Sequence, residues 1–530
     1  MAWAAANSDW MVSSYTISSI RPAPRPEQPS RADRGARAVS PCPLYPFRME
    51  RQTASAGAQQ QSARDTGASP LMITVSGCRG VVGGSLTPET ICRYVGAFSA
   101  WLEEQKAPGD GPVVVGRDGR RGGDVIADIA MSALRASGRR VIDLGIAMTA
   151  TTGLMVRRHN GAGGLVVTAS HNPAEWNGLK PLTADGRAPD ASQAERIVTL
   201  FHEGRRVLAP HDALGARDGD DTGHHAHVAA VLEAIDRVVN IDQIKRRGVR
   251  VALDSLNCSG AVGGMLLLDA LGCELIHVNR DSSGDFPHPP EPIEEHLKDL
   301  CMLVKESFCD IGFAQDPDAD RLVIVDEKGT YIGEEYTLAL GAEALLGAGG
   351  FGSAATLAAN LSTSRMIDDV AKKHRARVVR TPVGEANVVS AMVREGCALG
   401  GEGNGGVVWP EIVHIRDSLS AIALTLALMT RENASLSELV GRTPAYAIDK
   451  RKVAIREGLA DKASAAIRQR WSKARIDTQD GVRIDLDDEG AWLHVRASNT
   501  EPILRLIAEA PTKQRAAALL DEAQSVIEGA

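Results

Sequence analysis

A chain of 530 residues is long enough for three to five domains, and 44% hydrophobic residues are sufficient for substantial cores. The net charge of −8 argues against a nucleic-acid-binding protein, which usually has a basic face, and no apolar run reaches the roughly 18 residues of a membrane span. The eight cysteines are scattered without a CxxC pair, which predicts reduced, buried thiols and a cytoplasmic protein.

The first 70 residues differ from the rest of the chain. They contain eight Arg, no Lys and five acidic residues, a net charge of +3 within a chain of net −8. They show neither a helical nor a strand period, so they lack the apolar surface that offsets the entropy of ordering. We expect residues 1–70 to be a disordered extension, with Met49 and Met72 as alternative starts. An Arg-rich organelle-targeting segment is the alternative, although acids and prolines interrupt any amphipathic helix.

From residue 71 onward, short apolar runs alternate with longer helical patterns, which indicates sheets covered by helices. A strand–helix–strand unit occurs three times, and this predicts three related α/β domains. The predicted strand pairs are 113–116 with 141–145, 249–254 with 274–278, and 357–360 with 378–380. The chain after residue 441 predicts a smaller domain of a strand, a helix, two strands and a final helix. We expect the domains at 71–220, 221–326, 327–441 and 442–530.

Three histidines, His224, His225 and His227, stand near the first of these boundaries. Close histidines can bind a metal ion. Here Gly and Asp surround them and no Cys is nearby, so we interpret the segment as a solvated linker.

An apolar run at 165–167 is followed by Thr-Ala-Ser170-His171-Asn-Pro. The run predicts a buried strand, and the proline predicts that the chain leaves the sheet there. Ligands of open α/β sheets bind beyond the carboxyl ends of strands, so Ser170 is placed where a nucleophile or phosphate carrier would be. No G-x-S-x-G motif surrounds it, which argues against a serine hydrolase. Lys180 follows closely enough to fold back toward the serine.

A second loop, Asp316-Pro-Asp318-Ala-Asp320-Arg321, carries three carboxylates at i, i+2 and i+4. Oxygen ligands can converge on a hard cation such as Mg²⁺ or Ca²⁺, whereas three uncompensated carboxylates would repel one another. A solvated acidic turn is the plain alternative. An EF-hand loop is excluded because Arg321 stands where the sharp turn needs Gly and both flanks predict strands. Arg321 can reach a phosphate that also binds the metal.

A third loop has five glycines in the seven residues 400–406. Glycine lets the backbone approach a ligand closely, and Glu402 and Asn404 are the side chains left to pair with vicinal hydroxyls of a sugar. A flexible loop without a ligand is the alternative. The segment lacks the Lys-Ser/Thr ending of a Walker A loop.

A fourth loop follows a predicted strand at 491–495. It carries one Arg, two hydroxyls, an amide and free backbone N–H groups, which together can bind a phosphate. A capped turn is the alternative. The side chains concerned are Arg496, Ser498, Asn499 and Thr500.

These four loops, in this order and spacing, resemble those of the α-D-phosphohexomutase family: a phosphoserine loop at 168–173, a metal loop at 316–321, a sugar loop at 401–406 and a phosphate loop at 496–502. Weaker matches lie at 76–83 and 116–120. The similarity covers about residues 71–530. It implies an α/β fold with four domains around a central cleft, the first three related mixed α/β domains and the fourth a smaller α+β domain. These would carry the phosphoserine, metal, sugar and phosphate loops in turn.

The resemblance also implies the chemistry. One Mg²⁺ would be bound by Asp316, Asp318, Asp320 and phosphorylated Ser170, and a hexose 1,6-bisphosphate would serve as intermediate and activator. Arg79, His171 and Lys180 are candidates for proton transfer, and we favour Lys180, with the other two positioning the substrate. The substrate-binding residues would be Arg321, Thr381, Gly384, Glu402, Asn404, Arg496, Ser498, Asn499 and Thr500.

The sugar loop departs from the common family pattern, which has Ser at the position of Asn404 and often His at that of Gly406. The Glu-Gly-Asn-Gly-Gly version resembles the archaeal-type phosphoglucosamine and phosphomannose mutases. We therefore expect a sugar-phosphate partner, glucosamine phosphate by this likeness, and neither nucleic acid nor membrane. The alternatives are a mutase for mannose or glucose phosphate, a phosphatase that uses the same phosphoserine, and a non-catalytic sugar-phosphate-binding protein.

Overall fold

The protein is described by a computed structural model that covers residues 71–105, 111–349, 355–454, 459–497 and 503–529. The expectation for residues 1–70 lies outside the described residues. Among the described residues, no helix combines the length and the apolar character that a membrane span requires.

The first sheet has seven strands in the order β1-β2-β6-β5-β3-β4-β7. The strands are β1 Met72–Thr74, β2 Gly77–Val81, β3 Val113–Arg117, β4 Val141–Ile146, β5 Gly163–Val167, β6 Trp176–Leu182 and β7 Arg217–Gly219. The helices are α1 Pro88–Glu104, α2 Gly123–Ala136, α3 Thr149–Arg158 and α4 Ala191–Glu203. Strands β3, β4 and β5 are parallel, and β6 runs antiparallel to β5.

Local sequence signals determine where these helices begin and end. Helix α4 starts at a capping box, in which the Asp190 side chain accepts from the Gln193 backbone N–H and the Gln193 side chain accepts from the Asp190 N–H. It ends at Gly204, whose φ of 67° is accessible to glycine at little cost. Helix α1 begins with Thr87 as the N-cap and a proline in its first turn.

The second and third sheets have four strands each, in the orders β11-β10-β8-β9 and β13-β12-β14-β15. The strands are β8 Arg250–Asp254, β9 Glu274–Val278, β10 Ile311–Gln315, β11 Leu322–Asp326, β12 Thr356–Asn360, β13 Arg377–Thr381, β14 Leu399–Glu402 and β15 Gly406–Val408. The helices are α5 Gly223–Asp236, α6 Ile241–Arg247, α7 Gly260–Ala270, α8 Lys298–Glu306, α9 Glu335–Gly347, α10 Met366–Lys373, α11 Glu385–Glu395, α12 Ser418–Glu432 and α13 Leu436–Gly441.

One topology is repeated in all three sheets. Each contains three parallel strands whose third member pairs with an antiparallel strand, in the orders β6-β5-β3-β4, β11-β10-β8-β9 and β15-β14-β12-β13. The Ser170 loop connects β5 to β6, the aspartate loop connects β10 to β11, and the glycine loop connects β14 to β15. The predicted repeat is therefore confirmed, and three of the four predicted functional loops occupy the same position in the repeated unit.

The first three sheets share one hydrophobic core. A single buried cluster includes Val114, Leu253 and Leu357 from the central strands of the three sheets. Helix α12 is buried along most of its length, and it contacts helices α5, α7 and α9 as well as β15. An all-round apolar helix is typical of a position inside a core rather than at its edge.

The last sheet has five antiparallel strands in the order β16-β20-β19-β18-β17 and a hydrophobic core of its own. Its elements are β16 Ala447–Ala454, α14 Leu459–Arg470, β17 Arg475–Asp477, β18 Val482–Leu486, β19 Ala491–Ala497, β20 Ile503–Ala510 and α15 Lys513–Glu528. Four strands separate its two helices, so the prediction of two strands is wrong. Strands of three to eight residues joined by tight turns have short hydrophobic patterns, so two neighbouring strands are easily interpreted as one from the sequence.

The interpretation of the histidine stretch as a solvated linker is also wrong. The three histidines lie on helix α5, and His227 is fully buried. Its Nδ1 lies 2.9 Å from Thr151 Oγ1 and its Nε2 lies 3.1 Å from Asp417 Oδ2. A buried imidazole with both nitrogens hydrogen-bonded is a structural residue between packed elements.

The seven described cysteines are all unpaired, as predicted. Cys78, Cys258, Cys309 and Cys397 are buried, but Cys92 is exposed, so burial was predicted correctly for only part of the set.

Candidate active site

Ser170 lies at the turn between β5 and β6 in a backbone conformation that is uncommon for a residue with a side chain. Its φ is 51°, a left-handed value that costs free energy unless the surroundings enforce it. The Ser170 N–H donates to Thr168 Oγ1 at 2.8 Å, and Arg120 Nη2 donates to the Ser170 carbonyl at 2.6 Å. The turn is therefore fixed on both sides of the serine.

Asp118 and Arg120, from the weaker predicted match at 116–120, brace this turn. They form a fully buried ion pair of 2.9 Å, and Thr168 Oγ1 donates to Asp118 Oδ2 at 2.7 Å. Arg120 Nη1 also donates to the Trp176 carbonyl at 2.6 Å. A buried charge pair is tolerated when further hydrogen bonds satisfy its polar atoms, and these bonds tie β3 to the serine loop.

The three aspartates of the second loop converge. Asp316, Asp318 and Asp320 are fully buried, and one carboxylate oxygen from each lies within 4.8 Å of the others. Asp316 Oδ2 lies 3.4 Å from Ser170 Oγ. The loop of one sheet thus brings its carboxylates against the serine of another.

The donor set fits a hard divalent cation. Asp318 Oδ1 and Asp320 Oδ1 are buried carboxylate oxygens without a hydrogen-bond partner among the described residues. Burial, followed by the charge of Asp320, raises the pKa values of Asp316 and Asp318. A cation would remove the repulsion that produces those shifts. The buried triad is therefore arranged to hold a metal ion through oxygen ligands.

Helix α3 supports the same loop. Thr149 Oγ1 donates to Asp318 Oδ2 at 2.6 Å, and the Thr149 N–H donates to the Asp318 carbonyl at 3.1 Å. These hydrogen bonds from another domain fix the orientation of the Asp318 carboxylate before a metal binds to it.

Lys180, on β6, lies among carboxylates. Its Nζ is 3.1 Å from Asp320 Oδ2 and 3.4 Å from Glu385 Oε2. Burial opposes its charge, but Glu385 and Asp320 outweigh that effect and raise the Lys180 pKa. For Asp320, burial acts upward, and the cations Arg416 and Lys180 hold its pKa well below the usual range. The ammonium group is therefore firmly protonated in this arrangement.

His171 and Arg79 flank the serine. His171 Nδ1 lies 3.3 Å from Ser170 Oγ, and burial with the nearby Arg321 and Arg79 charges lowers its pKa to about 2. The imidazole is thus neutral and, in this arrangement, a weak base. Arg79, on β2, donates through Nη1 to Asn172 Oδ1 at 3.1 Å. The Arg321 N–H donates to Asp316 Oδ1 at 3.1 Å, and its guanidinium Nε lies 3.9 Å from Asp320 Oδ1 without a hydrogen-bond partner among the described residues.

Glu402 is the most heavily bonded residue of the glycine loop. Its Oε1 accepts from Asn360 Nδ2 at 2.8 Å and from the Gly384 N–H at 3.1 Å, and its Oε2 accepts from Arg416 Nη1 at 2.7 Å. Asn404 Nδ2 lies 3.5 Å from Glu402 Oε2. The predicted residues Gly384, Glu402 and Asn404 therefore meet in one place.

The fourth predicted loop is only partly described. Arg496 donates through Nε to Asp480 Oδ2 at 3.0 Å, whereas Ser498, Asn499 and Thr500 lie outside the described residues. Thr381, at the end of β13, donates its hydroxyl to the Pro382 carbonyl at 2.9 Å. Arg496, Glu402 and Asn404 line a common cavity of about 320 Å³. Its other polar walls are Glu335, Asn360, Ser362, Lys450, Arg451, Lys452 and Arg505.

The comparisons with known proteins agree with this geometry. Family models described as the phosphoglucomutase/phosphomannomutase α/β/α domains I, II and III match residues 71–207, 226–329 and 334–446, and the model of the C-terminal domain matches residues 449–525. The chain belongs to the α-D-phosphohexomutase family. It is therefore an isomerase, an enzyme that transfers a phosphoryl group within a sugar phosphate.

Individual relatives place this phosphohexomutase among archaeal-type members. It is 36% identical over 455 residues to the Methanopyrus kandleri "Probable phosphoglucosamine mutase", covering 85% of this chain and 96% of that protein. It is 36% identical over 459 residues to the Thermococcus kodakarensis "Phosphoglucomutase/phosphomannomutase", covering 86% and 98%. A Burkholderia thailandensis phosphoglucomutase/phosphomannomutase family protein has the same fold, with a TM-score of 0.73 at 26% identity over 86% of this chain and 98% of that one.

Some site residues of this phosphohexomutase were not identified from the sequence. Arg416 connects Asp320 to Glu402, Glu385 pairs with Lys180, and Asp480 holds Arg496. None of them stands in a glycine-rich or polar loop that signals a ligand. Arg416 directly precedes Asp417, the N-cap of α12. From the sequence, this segment indicates only the start of a helix, so it gives no sign that Arg416 belongs to the site.

Proposed function

We propose that the chain is a phosphoglucosamine mutase, which interconverts glucosamine 6-phosphate and glucosamine 1-phosphate through phosphorylated Ser170 and a bisphosphorylated sugar. The observation that carries the proposal is the contact of Ser170 with the aspartate triad, at 3.4 Å from Asp316, combined with the link from Asp320 through Arg416 to Glu402. The phosphoryl carrier, the metal-binding carboxylates and the sugar-binding carboxylate form one continuous site.

The reaction consists of two transfers. In the first, the bond between phosphorus and Ser170 Oγ breaks as a bond forms from phosphorus to the free sugar hydroxyl, whose proton is taken up by a nearby base. The resulting bisphosphate turns round. In the second transfer, the bond between its other phosphorus and the sugar oxygen breaks as that phosphorus bonds to Ser170 Oγ, and the leaving sugar oxygen takes up a proton from a nearby acid. Bound Mg²⁺, on the triad and the phosphoserine, would neutralise charge on the transferring phosphoryl oxygens. Arg321, against Asp316 and Asp320, adds a cation at the same place.

Lys180 is our candidate for proton transfer. In its resting contacts with Asp320 and Glu385 it is protonated, so we assign it to the second transfer, in which it would donate a proton to the leaving sugar oxygen. His171 is neutral and nearer to Ser170 Oγ, which makes it the rival. We expect Lys180→Ala to lower turnover far more than His171→Ala, and near-normal turnover in Lys180→Ala would remove Lys180 from this role.

Two features support an amino sugar. The sugar loop has the Glu402–Asn404 version that resembles archaeal-type mutases. The cavity also contains Glu335, whose pKa is raised well above the usual range by burial and which accepts a hydrogen bond from the Ser364 N–H at 2.8 Å. An acidic side chain in the cavity wall can pair with a cationic ammonium group at the sugar C2 more strongly than with a neutral hydroxyl.

A mannose or glucose phosphate is the second candidate, because the Thermococcus relative of equal identity carries a phosphoglucomutase/phosphomannomutase name. We also propose that the protein acts in the cytoplasm, since its seven described cysteines are unpaired.

The test compares kcat/KM for the 6-phosphates of glucosamine, mannose and glucose, each with its 1,6-bisphosphate present. Intact mass before and after incubation with the bisphosphate shows whether one phosphoryl group is gained. We expect the highest kcat/KM for glucosamine 6-phosphate and the mass gain of one phosphoryl group. A higher kcat/KM for mannose or glucose phosphate selects the second candidate, and release of inorganic phosphate in place of the isomer indicates a phosphatase.

A further inference from the structure

Gly406, at the start of β15, lies directly opposite Glu402 of β14 in the antiparallel hairpin of the sugar loop. Residues paired in this way present their side chains on the same face of the sheet. A Cβ atom added to Gly406 would lie 2.2 Å from Cδ and 3.0 Å from Cγ of Arg416. Gly405 has a φ of 84°, but Gly406 has no such positive value. Asn404 Oδ1, at 3.1 Å, is a looser contact, so a side chain at 406 is excluded mainly by Arg416 and not by the backbone conformation.

Arg416 uses this space to reach two loops at once. Its Nη1 donates to Glu402 Oε2 at 2.7 Å, and its Nη2 donates to Asp320 Oδ2 at 2.6 Å. Its backbone N–H donates to Glu385 Oε1 at 3.2 Å. The planar guanidinium thus connects the sugar-binding carboxylate with a carboxylate of the metal-binding triad, in a geometry that a lysine cannot reproduce.

The charges around Arg416 explain why the contact is strong. The side chain is 9% exposed, and Asp320 and Glu402, its two closest carboxylate partners, are 0% and 6% exposed. Its Nε also lies 3.6 Å from Glu385 Oε2, so three carboxylates surround the guanidinium. Removal of the arginine would leave Glu402 without this charged partner and would leave Asp320 and Glu385 with Lys180 as a remaining cation.

We infer that Arg416 is a positioning residue, because it holds Glu402 in the orientation in which Glu402 binds the sugar. We also infer that position 406 is glycine because the Arg416 side chain fills the volume that a Cβ atom at 406 would occupy. This inference rests on the proposed function, in which Glu402 binds sugar hydroxyls. It adds a physical reason for the departure at 406, since a histidine there would occupy the volume of the arginine methylenes. The sugar loop and the metal loop are coupled through one side chain.

The experiment is a double-mutant cycle of Gly406→Ala and Arg416→Ala, with Arg416→Lys as the charge-conserving variant. KM and kcat are measured with whichever sugar phosphate the wild type isomerises. Each single variant should raise KM by about tenfold or more, because a charge-assisted hydrogen bond to Glu402 is lost. Arg416→Ala should also lower kcat, because Asp320 of the triad loses the same cation. The double variant should have the KM of Arg416→Ala alone, since the added methyl group no longer meets the arginine.

Two matched variants serve as controls. Gly405→Ala introduces strain at a positive φ and a contact of 2.4 Å with the Leu322 carbonyl, so its effect should add to that of Arg416→Ala. Arg431→Lys alters an arginine that donates to the Ala344 carbonyl at 2.6 Å in the same domain, and it should leave KM unchanged.

Thermal unfolding of the same variants provides a readout that does not depend on turnover. In the presence of EDTA, Gly406→Ala should lower the Tm of the wild type but not the Tm of Arg416→Ala. Additive effects of 406 and 416 on both KM and Tm, or a wild-type KM in Arg416→Lys, would overturn the inference. If the wild type isomerises no sugar phosphate, the proposed function fails, and the Tm cycle alone still decides whether Gly406 is a glycine because of Arg416.

Discussion

The metal side of the site and the phosphate side are built differently. Around the triad, Thr149, Lys180 and Arg416 reach Asp318 and Asp320 across the shared core of the first three sheets, and nearly all of these side chains are buried. The last sheet has a separate core. The groups proposed to perform the chemistry are therefore held within one packed body.

The phosphate side depends on polar contacts between the third and fourth domains. His494 Nδ1 lies 2.8 Å from Ser362 Oγ, and Asp480 Oδ2 accepts from the Val383 N–H at 3.0 Å while it also holds Arg496. Polar interfaces of this kind are easier to open than hydrophobic cores. The difference suits the proposed reaction, in which the serine and a bound metal would stay in place while the sugar is released and turned.

The largest effect is expected at the serine itself. Ser170→Ala removes the phosphoryl carrier, so turnover should fall by at least about a thousandfold, as for the loss of a covalent nucleophile. The Tm should stay within a few degrees of the wild type, because only one buried oxygen is removed. Measurement of isomerisation and of intact mass after incubation with the bisphosphate checks this. Wild-type activity in the variant would contradict the phosphoserine scheme.

Asp318→Asn separates metal binding from stability. With Mg²⁺, turnover and metal affinity should both fall by about a hundredfold. Without metal, the raised pKa of Asp318 means that its ionised form is disfavoured in the folded state. The neutral asparagine should therefore give a Tm in EDTA that is equal to or higher than that of the wild type.

Titration calorimetry with Mg²⁺ and thermal unfolding in EDTA measure the two effects of Asp318→Asn. The exposed Asp299 of α8 provides a control, since Asp299→Asn should change neither. A wild type fully active in EDTA would remove the metal from the scheme.

Asp480→Asn tests the phosphate side. Arg496 would lose its carboxylate partner, so KM should rise by about fivefold while kcat changes less, in keeping with a lost hydrogen bond of about 1 kcal/mol. Asp477 accepts from the Gln479 N–H at 2.9 Å in the same turn but does not contact Arg496, so Asp477→Asn is the matched control. Equal KM values in the two variants would show that Asp480 does not position Arg496.

The smallest effect concerns pH at the interface between the third and fourth domains. Burial lowers the pKa of His494 to about 4, below the ordinary 6.5. Because the folded state favours the neutral ring, the contribution of His494 to the free energy of unfolding is fully present above pH 6.5. This contribution is lost as the pH falls from 6.5 toward 4. His494→Asn should reduce the fall in Tm over this window, measured by thermal unfolding at fixed ionic strength. An identical fall in both proteins would exclude His494 as its cause.

Much of this molecule follows from local sequence. The apolar runs of β5 and β10 determine buried strands, and the small or acidic residues after them determine loops at the carboxyl ends of those strands. The glycines at 400–406 predicted a loop, whereas residues 399–402 and 406–408 form strands and only the turn between them is a loop. The order of the four loops was sufficient to indicate the family and the aspartate triad. Periodicity and turn residues carry this information because both act over a few neighbouring positions.

Only the tertiary structure decided the partners of these loops. Arg416 is 96 positions from Asp320, and His227 is 190 positions from Asp417, yet each pair is in contact. No local pattern distinguishes an arginine that faces solvent from one that fills the space beside Gly406. That choice depends on how three separate sheets pack, because the buried carboxylates of one domain require cations that another domain supplies.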